Sequence, residues 1–214
     1  MKLYYMLIDA ERFHQRLAPA LGASWRRRSF DPCRTLCTDL LPAVKAFAER
    51  YHMTFEDSLL HQFQASLPFD RATWRALVSE ILLYSAAEVP ELPNIFATLK
   101  CVLAGMPTVN ADRLDFTPFE QIELGSRDLM FGGGYYRPEQ AGLNDRDDVA
   151  RLANYLNSLQ PEMWTASALE GLSELPLNEE REEELEFVRQ EFPTLERIYH
   201  GARLSGQVII CEKF

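Results

Sequence analysis

The two ends of the chain constrain it most. "KLYYMLI" (residues 2 to 8) and "QVIICEKF" (207 to 214) are dense in aromatic and β-branched residues, and both read as strands. Between them almost everything is patterned for helix. A lone strand that is apolar on both faces has no stable place in water; it needs neighbours in a sheet and cover on either side. The expectation is that both terminal strands lie in one small mixed sheet with helices packed on it. That is an α+β fold, rich in helix and built as a single domain over residues 1 to 214. The length suits one substantial core.

Capping residues and apolar spacing divide the interior. Asp9 caps a helix whose Phe13, Leu17, Ala20 and Leu21 share a face, with Gly22 as its stop. Pro32 opens the next, "CRTLCTDLLPAVKAFAERY", bent at Pro42. Thr54 and Asp57 cap a third, with Phe55, Leu59, Phe63 and Leu67 in one stripe. Asp70 caps a fourth, whose Trp74, Leu77, Val78, Ile81 and Leu82 form a broad apolar face, and "IFATLKCVLAG" is apolar enough to be buried. From Met106 to Gln140 the helical period fades, and "FEQIELG" and "RDLMFG" read as short strands. In "NDRDDVARLANYLNSL", Val149, Leu152, Ala153, Leu156 and Leu159 share a face behind three aspartates at the positive end of the helix dipole. Asn178 caps a glutamate-rich helix that Pro193 breaks or restarts.

Composition narrows the function. Apolar residues at 47% and charged residues at 25% describe a globular chain rather than a disordered one. No run approaches the roughly 18 apolar residues of a membrane span. The N-terminal apolar run is too short for a signal peptide, so the cytoplasm is the expected location. Cys33, Cys37, Cys101 and Cys211 follow no disulfide framework, and Cys33 with Cys37 lacks the partners a zinc site needs. Neither a metal nor a cofactor is expected. The net charge is −10, but the first fifty residues hold nine Lys/Arg against five Asp/Glu, leaving −14 on the rest. "SWRRRSF" is too small a basic cluster to hold nucleic acid; its arginines suit a solvated loop or pairing with the acidic half.

Two stretches invite a functional reading. In "MFGGGYYRPEQ" (130 to 140) no Lys-Ser/Thr follows the glycines, and Arg137 stands where a dinucleotide loop would need its third glycine. Gly132 to Gly134 therefore serve as a hinge with positive φ, or else face a ligand contacted by Tyr135, Tyr136 and Arg137. The second stretch, residues 179 to 191, sets seven glutamates against Arg181 and Arg189. It reads as a solvated face, or as a docking surface for a basic partner centred on Glu182, Glu183 and Glu184. His14, His52, His61 and His200 form no ligand motif, and no nucleophile elbow marks a hydrolase. Catalytic residues, and whether the chain is an enzyme at all, stay open. The apolar runs at 76 to 83 and 95 to 104 suit a core or a dimer interface.

"YYRPEQAGLNDRDDVARLANYLNSL", followed by "EEELEFVRQEFPTLERIYHGARLSGQVIICEKF", resembles the YfbM-like family of uncharacterised bacterial proteins. The shared pattern is a glycine-containing loop, an aromatic-x-x-Pro-Glu segment, an acidic helix and a last strand, over about residues 128 to 214. The "AGLND" beyond Pro138 and Glu139 departs from it. The resemblance implies a small bacterial α+β protein of the cytoplasm and transfers no catalytic residue. Two functions follow: a protein-interaction module with an acidic docking face, of the kind an immunity-like neutraliser of a toxin would use, or a small-ligand-binding protein or enzyme with its site at 131 to 137.

Overall fold

The computed structural model describes residues 3–51, 58–62, 68–93, 95–104, 117–137, 139–170 and 172–213. Strand β1 (Leu3–Asp9) leads through Asp9, which accepts from the Arg12 amide at 2.7 Å, into α1 (Ala10–Arg12). A π-helical turn (Phe13–Leu17) and α2 (Ala18–Arg27) continue the same rod. Then come α3 (Arg34–Tyr51), α4 (Leu59–Gln62), α5 (Arg71–Ser85), β2 (Glu91–Leu92), α6 (Phe96–Ala104) and α7 (Pro118–Leu124). Short strands β3 (Arg127–Asp128), β4 (Met130–Phe131), β5 (Gly134–Tyr135) and β6 (Ala141–Asn144) precede α8 (Arg146–Asn157), α9 (Asn178–Leu204) and β7 (Gln207–Lys213).

The sheet has the order β2-β1-β7-β6-β3, and each of these pairs is antiparallel rather than mixed. At its centre β1 and β7 pair over seven residues, from Leu3 opposite Lys213 to Asp9 opposite Gln207. The period of two then sorts side chains to opposite faces. Leu3, Tyr5, Leu7, Ile209 and Cys211 enter a core shared with α6, α7, α8 and α9. Met6, Ile8, Val208 and Ile210 enter a second core with the α1–α2 rod, α3 and α5. Helices α1 to α5 thus cover one face and helices α6 to α9 the other. The terminal strands meet in one sheet, as their composition demanded.

Several local expectations change. Gly22 does not stop its helix; α2 runs on to Arg27 and ends at Arg28 in a left-handed conformation with φ 50°. "SWRRRSF" is therefore largely the last turn of a helix, with the Arg28 guanidinium 4.1 Å from the Trp25 ring centroid. "FEQIELG" is helix, not strand. Thr117 accepts from the Glu120 amide, the Glu120 carboxylate accepts from the Thr117 amide, and Pro118 takes the first helical position. This reciprocal cap outweighs a short apolar alternation. Pro193 sits within an unbroken α9 because Leu185, Val188, Phe192, Leu195, Ile198 and Tyr199 hold both halves against one core. Pro42 is likewise inside α3. "AGLN" forms β6, between β7 and β3. The stripe around Thr54, Phe55, Asp57, Phe63 and Leu67 lies outside the described residues, Leu59 apart.

One polar side chain ties this sheet to its cover. Asn144, fully buried on β6, accepts from the Ser126 hydroxyl (2.6 Å) and amide (2.8 Å). Its amide nitrogen donates to the Gln121 carbonyl and to the Tyr199 hydroxyl, both at 2.9 Å. Asn144→Ala should cost about 2–4 kcal/mol, because it orphans several buried partners at once, and Tyr199→Phe only about 1 kcal/mol. Urea unfolding of both variants checks the ranking.

Candidate functional site

The triple glycine is the turn of a hairpin. Met130 pairs with Tyr135 and Phe131 with Gly134, leaving Gly132 (φ 60°) and Gly133 (φ 90°) as a two-residue turn. Positive φ at both central positions is what a tight hairpin needs to match strand twist. Gly132 and Gly134 serve a second purpose. A Cβ on Gly132 would overlap the Gly22 carbonyl of α2, and one on Gly134 would overlap the Trp25 ring. Around Gly133 there is open space. The hairpin is docked on α2 by backbone contact, so Gly22 is conspicuous in the sequence for close approach rather than for helix ending. No phosphate cradle is formed.

The three residues after the glycines diverge. Tyr135 is 42% exposed, whereas Tyr136 is fully buried. The Tyr136 hydroxyl donates to Glu212 Oε1 at 3.0 Å. Arg137 Nη1 lies 2.7 Å from the same Glu212 oxygen. Tyr136 and Arg137 therefore hold a carboxylate from β7 rather than stacking on a ligand in solvent. Glu212 is only 2% exposed, and burial pushes its carboxyl above the ordinary range although Arg137 and Tyr136 pull the other way.

Glu212 reaches the floor of a groove of about 530 Å³ framed by α3, α5, β1 and β2. Met6, Phe47, Leu83 and Val89 supply its apolar walls; Tyr4, Ser79, Glu91 and Glu212 supply its polar groups. A neighbouring hollow of about 480 Å³ shares Phe47, Leu83 and Val89. Sequence reasoning missed Glu212 and Ser79. The signal was present in "QVIICEKF", where alternation puts Glu212 on the inward side with Val208 and Ile210. A charge at an inward strand position asks for a partner and a purpose. Ser79 carried no comparable mark. On α5 its neighbour one turn earlier is Arg75, whose Nε is buried with no hydrogen-bond partner among the described residues.

The second candidate surface lies across the sheet, on α9. Glu182 and Glu183 face solvent. Glu184 does not share their freedom: its Oε1 accepts from the Thr98 hydroxyl of α6 at 2.6 Å. Both cations of this run reach loop carbonyls, and Arg189 Nη1 also stays 3.7 Å from Glu186 Oε2. Arg181 donates to the carbonyls of Leu175 (2.8 Å) and Pro176 (3.0 Å), and Arg189 to those of Pro161 (3.0 Å) and Trp164 (2.6 Å). Phe187 stands 40% exposed among the acids. Glu183, Glu184, Gln190 and Glu191 are its neighbours one turn either way.

The remaining sequence candidates stay apart. All four cysteines are free and buried; burial pushes the Cys33 thiol up to about 11 and the Cys37 thiol up to about 12. Glu196 and His200 form no ion pair with each other or with other described residues, and Asp57 and His52 lie outside the described residues. No group of three or more His, Cys, Asp and Glu among the described residues is placed to hold a metal. No described helix is long and apolar enough to cross a membrane.

No protein-family profile matches the chain, and no curated protein does. Among solved structures the chain is similar to YfbM, a protein of unknown function from Escherichia coli. The identity is 13%, the TM-score 0.49, and the likeness covers 99% of this chain and 98% of that one. It brings no residue role with it.

Two outcomes test the site's construction. Gly133→Ala should cost about 1 kcal/mol from its φ alone, and Gly132→Ala about 3 kcal/mol or more, since overlap with α2 adds to the strain. Equal costs in urea unfolding would show that the hairpin is not held by close approach. The second outcome concerns pH. A carboxyl whose folded pKa is raised favours the folded state below its unfolded value, about 4.3, and loses that contribution as pH rises through the folded value. Glu212→Gln removes this titration. Its melting temperature relative to wild type should therefore climb between about pH 4 and pH 7. A constant difference would mean that Arg137 balances the burial in full.

Proposed function

We propose that this protein is a protein-interaction module whose docking surface is the outer face of α9, recognising a basic partner with an apolar side chain to place on Phe187. One observation carries the reading: Arg181 is committed to loop carbonyls and Arg189 to loop carbonyls and Glu186, while Phe187, Glu182 and Glu183 face solvent. A run of glutamates on a helix is ordinarily a solvated face with its charges balanced nearby. Here Arg181 is drawn off to loop carbonyls and Arg189 is paired with Glu186, so among the described residues Glu182 and Glu183 keep their charge toward solvent, and an aromatic ring stands nearby. An aromatic anchor ringed by polar groups is the common form of an interaction hot spot, and a one-sign field speeds encounter with the opposite sign. An immunity-like role, in which such a face masks a basic toxin, is the particular form of this reading that suits a small acidic chain.

The decisive variants leave Glu184 alone, because it binds Thr98. The wild type, the Glu182→Lys/Glu183→Lys double variant and Phe187→Ala are used as baits against a lysate of the source organism, at low and high salt. A stoichiometric partner should be retained by the wild type at low salt and lost with either variant. The double variant should slow association, whereas Phe187→Ala should speed dissociation by about tenfold or more. A partner indifferent to all three substitutions would place the docking surface elsewhere, and recovery of no partner would defeat the reading.

A further inference from the structure

The groove over Glu212 lies on the opposite side of the sheet from α9, and nothing in the docking reading uses it. Of the two Glu212 oxygens, Oε1 receives both the Tyr136 hydroxyl and the Arg137 guanidinium. Oε2 has no partner among the described residues, although the side chain is only 2% exposed and lines the groove. In so nearly buried a side chain this oxygen has little access to water, so a donor placed in the groove would be worth more to it than one in open solvent. Tyr136 and Arg137 hold the carboxylate in place through its first oxygen, so its second oxygen is fixed in direction. Along β7 the same position would accept an apolar side chain, as Val208 and Ile210 on the same face show.

The lining also sets the character of what would fit. Glu212 pairs with Arg137, and no Lys or Arg is among the described residues that line the groove. The head group favoured there is a hydrogen-bond donor with positive charge, since such a bond to a carboxylate is stronger than a neutral one. Met6, Phe47, Leu83 and Val89 leave an apolar chamber beside it, of a size typical for small-molecule sites. We infer that the groove binds a small organic amine, with its ammonium group on Glu212 Oε2 and its apolar body against Phe47 and Leu83.

Titration calorimetry of the full chain with 2-phenylethylamine tests this, with 2-phenylethanol and phenylacetate as neutral and anionic counterparts of the same shape. The amine should bind at one saturable site, with the alcohol and the acid weaker by about tenfold or more, the difference expected for a charge-assisted hydrogen bond. Glu212→Gln, which keeps the side-chain shape, should erase that preference. Val89→Trp at the exposed rim should block all binding, and it keeps the test alive if Glu212→Gln fails to fold. Equal binding of amine and alcohol, preference for phenylacetate, no effect of Glu212→Gln in a folded variant, or no binding of any probe would each overturn the assignment.

Discussion

The seven-residue pairing of β1 with β7 is the constraint from which the other features follow. Each strand is apolar on both faces, so their register decides which side chains go to which of two cores. A slip of one residue would send Tyr5 and Cys211 into the layer built for Met6 and Ile210, and the reverse. It would also turn Glu212 away from Tyr136 and Arg137. The helices on each face are therefore held to the sheet and to the register at once. The hairpin belongs to the second half of the chain but packs in the layer made by the first half, against Gly22 and Trp25. It joins α2 to the later part of the chain by a route other than the sheet.

Polar groups inside the sheet and its cover mark the places where this arrangement is most specific. Asn144 binds α7, the Ser126 turn and α9 together. Glu123, 3% exposed, sits between Lys100 (2.7 Å) and Lys213 (2.9 Å), so the end of β7 is tied to α6 and α7 by charge. Glu212 links β7 to the hairpin. Buried ion pairs of this kind add little net stability over apolar residues of the same size, but removing one partner alone is costly. Their effect is to penalise alternative registers. Glu212 differs from the other two in that its side chain also lines the groove.

Much of the fold was legible in the sequence because the relevant signals were local or strongly periodic. Asp9, Asp70 and Asp145 cap their helices, and Trp74, Ile81, Val149 and Leu152 are buried at the positions their spacing gives them. The failures have particular causes. Gly22 looks like a helix stop because its partner, Gly132, is distant in sequence and close only in the folded chain. Pro193 looks like a break because tertiary packing on both sides is invisible to a local reading. The Thr117–Glu120 cap was readable and was outranked by a misleading alternation in "FEQIELG". At the candidate sites, Tyr136 and Arg137 both attend to Glu212, a partner too distant in sequence for a local reading to supply. Glu184 was grouped with its neighbours because nothing in the run distinguishes the glutamate that meets Thr98.

The cysteines are divided evenly between the layers. Cys33 and Cys37 lie in the core under the first half of the chain, Cys101 and Cys211 in the core under the second. Buried thiols are slow to react until the structure around them opens, so each layer contains its own chemical clock for local unfolding. If the sheet and both covers come apart together, the two pairs will be labelled at one rate. If the layer behind the docking helix breathes independently of the layer behind the groove, the rates will separate. The chain thus carries, in residues that play no part in either proposed site, the means of learning whether events on one face of the sheet are felt on the other.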